Sequence, residues 1–214
     1  MAYYPINLRI SGRRCLVIGG GEVAERKVTA LLAAEAIVTL CSPMLTPLLL
    51  DFSKSGKITY INTAYAAGLA KNYFIVICAT SDSTVNTLAA QEARDAGALV
   101  NVVDAPDLCD FTVPAQVVNG DLVLTVSTGG KSPALASWMR KDLAKHYGPE
   151  YGLYLDMISR LRQEIKERLV SSAERQVVWR EALDEEVFCL LAAGRMDEAE
   201  EKIRNAAGCI GVES

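Results

Sequence analysis

The stretch CLVIGGGEVAERKVTALLAA, Cys15 to Ala34, decides how this chain is read. A short apolar run, Cys15 to Ile18, meets three glycines that open into Glu22, Val23, Ala24 and a segment of helical character. A strand that feeds a glycine turn at the mouth of a helix is the opening unit of a dinucleotide-binding βαβ fold. In that geometry Gly19 makes the tight turn, Gly21 lets the backbone approach a pyrophosphate, and Ala24 is small enough for helix to pack on strand. Phosphates would meet the free N–H groups and the positive dipole end of the helix. Gly19, Gly20, Gly21, Glu22 and Val23 are therefore candidate cofactor-binding residues.

Outward from this unit, short Val-, Ile- and Leu-rich runs alternate with helical segments, the rhythm of parallel strands joined by crossover helices. Strands are predicted near residues 15–18, 36–41, 57–61, 73–78 and 98–103. The runs CLVI and YFIVIC are apolar without alternation, as in strands covered on both faces of a doubly wound sheet. The second strand ends in Cys41-Ser42-Pro43, where an acidic residue for the ribose hydroxyls is expected and missing, so Ser42, Pro43 and backbone groups become the candidates there. The residues alone barely separate NAD from NADP.

Chemistry belongs at the carboxyl ends of the strands. Thr80, Ser81 and Asp82 leave the fourth strand; Asn101, Asp104 and Pro106 lie at the end of the fifth. A carboxylate directly after ALVNVV, if partly desolvated, has a raised pKa and can act as a general base. The competing reading makes Asp104 a turn residue in Asp-Ala-Pro. Asp82 or Ser83 can simply start the helix that carries Val85, Leu88 and Ala89.

After Asp104 the rhythm changes. Asn119-Gly120 between two β-rich runs signals a tight hairpin, and Ser132-Pro133 opens a helix toward His146, closed by Gly148-Pro149. Three further helices are predicted: one on Leu153, Met157, Leu161, Ile165 and Leu169, one over residues 174–193, and one over 196–207, with Gly194 and Gly208 as stops.

Composition removes several classes. The 214 residues are 50% hydrophobic and 22% charged, as in an ordinary globular protein. The net charge of −4 sits in the tail: residues 148–214 hold 14 acidic and 9 basic residues, against 12 and 13 in residues 1–147. Neither part has the basic stripe of a nucleic-acid binder. No signal-type or membrane-spanning run is present, so a cytoplasmic protein with no membrane partner is expected. The six cysteines are scattered, three of them in apolar runs where a small buried hydrophobe is expected, and no metal site is predicted. A single histidine, His146, argues against a Ser-His-Asp hydrolase, and the absence of a G-x-x-x-x-G-K-[ST] string against a P-loop enzyme.

The ordered strings Leu16 to Lys27, Ala79-Thr-Ser-Asp82 with Asn86, Asn101-Val-Val-Asp-Ala-Pro106, Phe111-Thr-Val-Pro114 and Ser127-Thr-Gly-Gly-Lys-Ser-Pro133 resemble the precorrin-2 dehydrogenase family, which also forms the amino-terminal half of bifunctional siroheme synthases. The resemblance covers roughly residues 1 to 145. It implies an α/β fold: a Rossmann-like parallel sheet in an NAD-binding domain (1–113), a hairpin–helix dimerisation region (114–147) and a small α-helical domain (148–214). It also implies a homodimer, NAD as oxidant, and Asp104 as the catalytic carboxylate that takes a proton while precorrin-2 loses a hydride and becomes sirohydrochlorin. Ferrous iron insertion occurs in related members.

The polycarboxylate tetrapyrrole needs positive or hydrogen-bonding partners. Thr80 is assigned to the cofactor, and Asn101, Thr128, Gly129 and Lys131 to the substrate, the glycine turn acting as an anion nest. Arg13, Arg14, Arg26, Lys27, Arg140 and Lys141 are further available cations. A second reading is an NAD(H)-sensing module that binds nucleotide and does no tetrapyrrole chemistry.

Overall fold

Successive residues of the first strand enter opposite cores, which is why its sequence is apolar without alternation. In the computed structural model, which describes residues 3–168, 179–180 and 184–209, β1 (Arg14–Ile18) sends Cys15 and Val17 into one buried cluster and Leu16 and Ile18 into another. The first cluster is completed by Ala24, Val28 and Leu31 of α1 (Glu22–Ala33), Val38 and Leu40 of β2 (Ile37–Cys41) and Leu49 of α2 (Pro47–Lys54). After β3 (Thr59–Ile61), the second cluster takes Val76 and Cys78 of β4 (Ile75–Cys78), Ala89, Ala90 and Ala93 of α3 (Ser83–Asp95), and Val100 and Val102 of β5 (Leu99–Val102).

All five strands are parallel, in the order β3-β2-β1-β4-β5. Each predicted strand is present. The order reverses between β1 and β4, and the crevice beyond their carboxyl ends is the place where an open α/β sheet binds ligands. Cys15, Cys41 and Cys78 are fully buried; burial pushes the Cys15 thiol up to about 11 and Cys78 to about 12, so all three act as small core hydrophobes.

The chain divides into two compact units, Tyr4–Val113 and a second built from Pro114 onward. In the second, β6 (Ala115–Asn119) and β7 (Leu122–Val126) form the predicted hairpin, with its turn one residue later than expected. Asn119 pairs with Leu122 and donates its side-chain amide to the Tyr147 carbonyl at 2.6 Å, so the two-residue loop is Gly120-Asp121 and only Gly120 takes positive φ, +57°. One glycine suffices because positive φ is needed only at the first central position of a type II′ turn.

Ser132 caps α4 (Pro133–His146) by accepting from the Leu135 N–H, with Pro133 at the first helical position. Pro149 opens α5 (Pro149–Arg168). The helix predicted over 174–193 is described as α6 (Glu185–Ala192); residues 169–178 and 181–183 lie outside the described residues. Gly194, at φ +74°, ends α6, whereas α7 (Met196–Cys209) runs through Gly208. Tyr154, Met157 and Leu161 of α5 pack with Val187, Leu190 and Leu191 of α6 and with Ala199 and Ile203 of α7. Among the described residues no helix is long and apolar enough to cross a membrane.

Leu16 has no exposed surface and lies in the second buried cluster. Leu16→Ala should lower unfolding stability by about 2–5 kcal/mol in urea titration; a loss below about 1 kcal/mol would mean that this core is not close-packed.

Candidate active site

Two of the three glycines are fixed by their neighbours and the third by what it leaves open. Gly19 sits at φ +114°, and a Cβ there would lie 2.4 Å from the Ala79 carbonyl oxygen at the end of β4. A Cβ on Gly20 would lie 1.9 Å from the Met44 carbonyl oxygen. Gly21, the residue before α1, has nothing within 4 Å of its Cβ position. No side chain caps α1, so the N–H groups of its first turn face an open cleft, the arrangement that receives a diphosphate. The cleft measures about 860 Å³ and is bordered by all three glycines, Glu22, Val23, Ser42, Pro43 and Thr80. These are the eight residues assigned to the cofactor from sequence.

The loop after β2 is tied down from several sides. The Ser42 hydroxyl donates to the Met44 carbonyl at 2.7 Å, the Tyr60 hydroxyl donates to the Ser42 carbonyl at 2.9 Å, and the Thr46 N–H donates to the Gly20 carbonyl at 3.0 Å. Thr46 also donates through its hydroxyl to the Glu25 carboxylate. Ser42, 6% exposed, therefore shapes the loop with a proton already engaged; its part in any ribose site is to set the backbone and not to donate from the side chain.

A second cleft of about 450 Å³ shares Val23, Ala79, Thr80 and Ser81 with the first and adds Asn86 and Asp104. Asn86, 6% exposed, accepts from the Thr80 hydroxyl at 2.8 Å and donates to the Thr80 carbonyl at 3.0 Å, which locks the loop between β4 and α3. Sequence reading gave Asn86 no role; the clue was a polar residue on the helix face that otherwise holds Ala89, Ala90 and Ala93. Asp82 caps α3, accepting from the N–H groups of Thr84 at 2.8 Å and Val85 at 3.1 Å.

Asp104 closes the second cleft from a turn after β5. The Ala105 N–H donates to the Val102 carbonyl at 3.3 Å, and Asp104 takes φ +60°. A non-glycine residue in the left-handed region costs of order 1 kcal/mol and is retained where the surroundings impose it. The carboxylate is exposed, which corrects the expected desolvation: the two-residue reach of the turn lifts Asp104 clear of the strand that carries the apolar run.

Asn101 also differs from expectation. It is 8% exposed, and its amide nitrogen donates to the Phe111 carbonyl at 3.0 Å and to the Cys109 sulfur at 3.6 Å, so it anchors chain behind β5. Thr128, Gly129 and Lys131 lie in the second unit. There the Thr128 hydroxyl accepts from the Ser132 N–H at 3.1 Å, the Thr128 carbonyl accepts from the Lys131 N–H at 3.1 Å, and the Gly129 N–H reaches the Ser127 hydroxyl at 3.3 Å. The Gly129 N–H of the anion nest expected on Thr128, Gly129 and Gly130 is thus engaged inside the loop, as is the Lys131 N–H after it, while the Lys131 side chain is exposed. Arg13 and Arg14 stack over Phe74 and Tyr73 at the opposite end of β1 and β4, remote from either cleft. Half-burial and the neighbouring Arg26 charge hold the Lys27 ammonium below its usual range. Among the described residues no group of three His, Cys, Asp or Glu side chains could hold a metal ion.

Gly20→Ala should lose about 1–3 kcal/mol of stability, because the Met44 carbonyl cannot retreat without breaking the loop, whereas Gly21→Ala should unfold as the parent does. Thermal unfolding of both variants checks this; equal midpoints would contradict the close approach.

Comparison with known proteins agrees with the geometry. Residues 6–115 match the NAD(P)-binding family NAD_binding_7, residues 119–146 the sirohaem biosynthesis protein central region, and residues 150–206 the sirohaem synthase dimerisation region. The dimerisation match covers α5, α6 and most of α7, the helices that share the third buried cluster. Siroheme synthase of Nitrosococcus oceani is 38% identical over 94% of the chain, and that of Methylococcus capsulatus 34% over 97%. The chain spans 43–44% of the length of these relatives. A solved structure titled SirC, precorrin-2 dehydrogenase, superposes with a TM-score of 0.78 at 26% identity, covering 95% of this chain and 100% of that one. Over residues 6–115 the chain belongs to the NAD(P)-binding family NAD_binding_7, and behind that domain it matches the sirohaem biosynthesis central and sirohaem synthase dimerisation regions.

Proposed function

We propose that this chain is an NAD-dependent precorrin-2 dehydrogenase that yields sirohydrochlorin and works as a homodimer in the cytoplasm. The observation that carries the reading is the Asp104 turn: a carboxylate held at φ +60° on the rim of a cleft that shares a wall with the glycine-turn cleft. A module that only senses nucleotide has no use for a strained carboxylate there.

The residues fit a dinucleotide. The open side of Gly21 and the uncapped start of α1 would hold its diphosphate, and Ser42 and Pro43 would border a ribose. The cleft lining includes Glu22 and Asp82 and neither Lys nor Arg, so a 2′-phosphate would meet no countercharge, which favours NAD over NADP. When bound, NAD supplies the hydride acceptor. Asp104 takes the proton that leaves the tetrapyrrole with that hydride, and Thr80, fixed by Asn86, keeps the wall between the two clefts in place. Because Asp104 is exposed, the water exclusion that strengthens it as a base has to come from the bound macrocycle covering it. The matched dimerisation region supports the homodimer.

Asp104→Asn keeps the shape and the left-handed tolerance of the position while removing the base. With precorrin-2 and NAD under anaerobic conditions, the variant should lose roughly 100-fold or more in kcat, with NAD affinity within about twofold of the parent. Wild-type turnover in Asp104→Asn would return this residue to a turn-forming role.

A further inference from the structure

β5 is an edge strand, yet its outer side is not bare. Its free backbone groups are met mainly by the side chains of the returning segment, Cys109 and Asp110, with no further strand in the sheet beyond it. The Val100 N–H donates to the Asp110 carboxylate at 2.9 Å, and the Asp110 N–H donates to the Val100 carbonyl at 2.9 Å. One residue pair further along, the Val102 N–H donates to the Cys109 sulfur at 3.1 Å. The thiol proton of Cys109 has two acceptors in reach, the carbonyls of Val102 at 3.2 Å and Ala105 at 3.4 Å. Arg94 of α3 steadies the segment from outside, bonding the Asp110 carboxylate at 3.2 Å and the Leu108 carbonyl at 3.0 Å.

Val102 and Ala105 are the first and last residues of the turn that carries Asp104. The sulfur therefore touches both ends of that turn, and Cys109 is packed with Ala105 and Leu108 against the second core. We propose that Cys109 is a positioning residue for Asp104: its thiol clamps the Val102–Ala105 turn and so holds the carboxylate in its left-handed conformation. The turn's own backbone bond, 3.3 Å long, is weak by comparison with ladder bonds of 2.9 Å, and a strained residue relaxes once the surroundings stop imposing its geometry. Among the described residues the other hydrogen-bonding thiols lie elsewhere, the Cys41 thiol donating to the Thr63 carbonyl and the Cys15 thiol to the Arg13 carbonyl, while Cys78 meets the turn only through its backbone, its carbonyl accepting from the Val103 N–H at 2.9 Å.

A thiol that only fills space and a thiol that bonds are separated by two replacements of similar size. Cys109→Val keeps the apolar volume and removes every hydrogen bond of the sulfur, to Val102, Ala105 and the Asn101 amide; Cys109→Ser keeps a donor and acceptor. The catalytic part of the proposal rests on the dehydrogenase reading above, so the test carries a readout independent of turnover: amide hydrogen exchange at Val102 and Ala105, followed by NMR in the full chain. The expected result is faster exchange of these two amides in Cys109→Val, a fall in kcat of about tenfold with KM for NAD within twofold, and recovery of most of both losses in Cys109→Ser. Wild-type exchange in the valine variant, or equal loss in valine and serine variants, overturns the clamp. If the valine variant does not fold, Cys109→Ala replaces it with the same expectations. A parent chain without turnover would refute the dehydrogenase reading, and the exchange rates would still decide whether Cys109 holds the turn.

Discussion

The close approach of two carbonyl oxygens to a glycine turn is the constraint on which the rest depends. Ala79 at the end of β4 and Met44 beyond β2 both come within a distance of Gly19 and Gly20 that no side chain tolerates. Because the loops after β2 and β4 press on the turn from two sides, the crevice between β1 and β4 has fixed walls, and α1 starts with its N–H groups aimed into it. The open side of Gly21 then leaves room in this crevice for a ligand to come near the backbone.

Much of this was legible in the residues. Continuous apolar character in CLVI and YFIVIC announced strands covered on both faces, and the two clusters that divide Cys15 and Val17 from Leu16 and Ile18 are the physical form of that signal. Asp82 as a helix cap and Ser132-Pro133 as a helix start followed from short-range chemistry that does not depend on the tertiary fold. The exact turn of the hairpin did not, because the Asn119 side chain is claimed by the Tyr147 carbonyl, a partner far away in sequence.

The site was legible in its positions and less so in its burial. Asp104 follows an apolar run, which suggested a desolvated carboxylate, but the turn carries it out of the strand and leaves it exposed. Asn101 belongs to the same run and was expected at the substrate; an inward-facing place on β5 instead commits its amide to the Phe111 carbonyl. Asn86, part of a matched string, and Cys109 were given no role for a related reason: each looks like an ordinary core or helix residue until the loop that it ties is known. Strand-end motifs report which residues reach the crevice, and only the fold reports which of them are already engaged.

The central claim joins a nucleotide cleft to a proton acceptor in one redox reaction. Its most direct test is an anaerobic single turnover of the parent chain with precorrin-2 and NAD, following NADH and the sirohydrochlorin chromophore together. The account predicts that both rise with the same rate constant and in equal amounts. Sirohydrochlorin without NADH, or bound NAD with neither product, would contradict it.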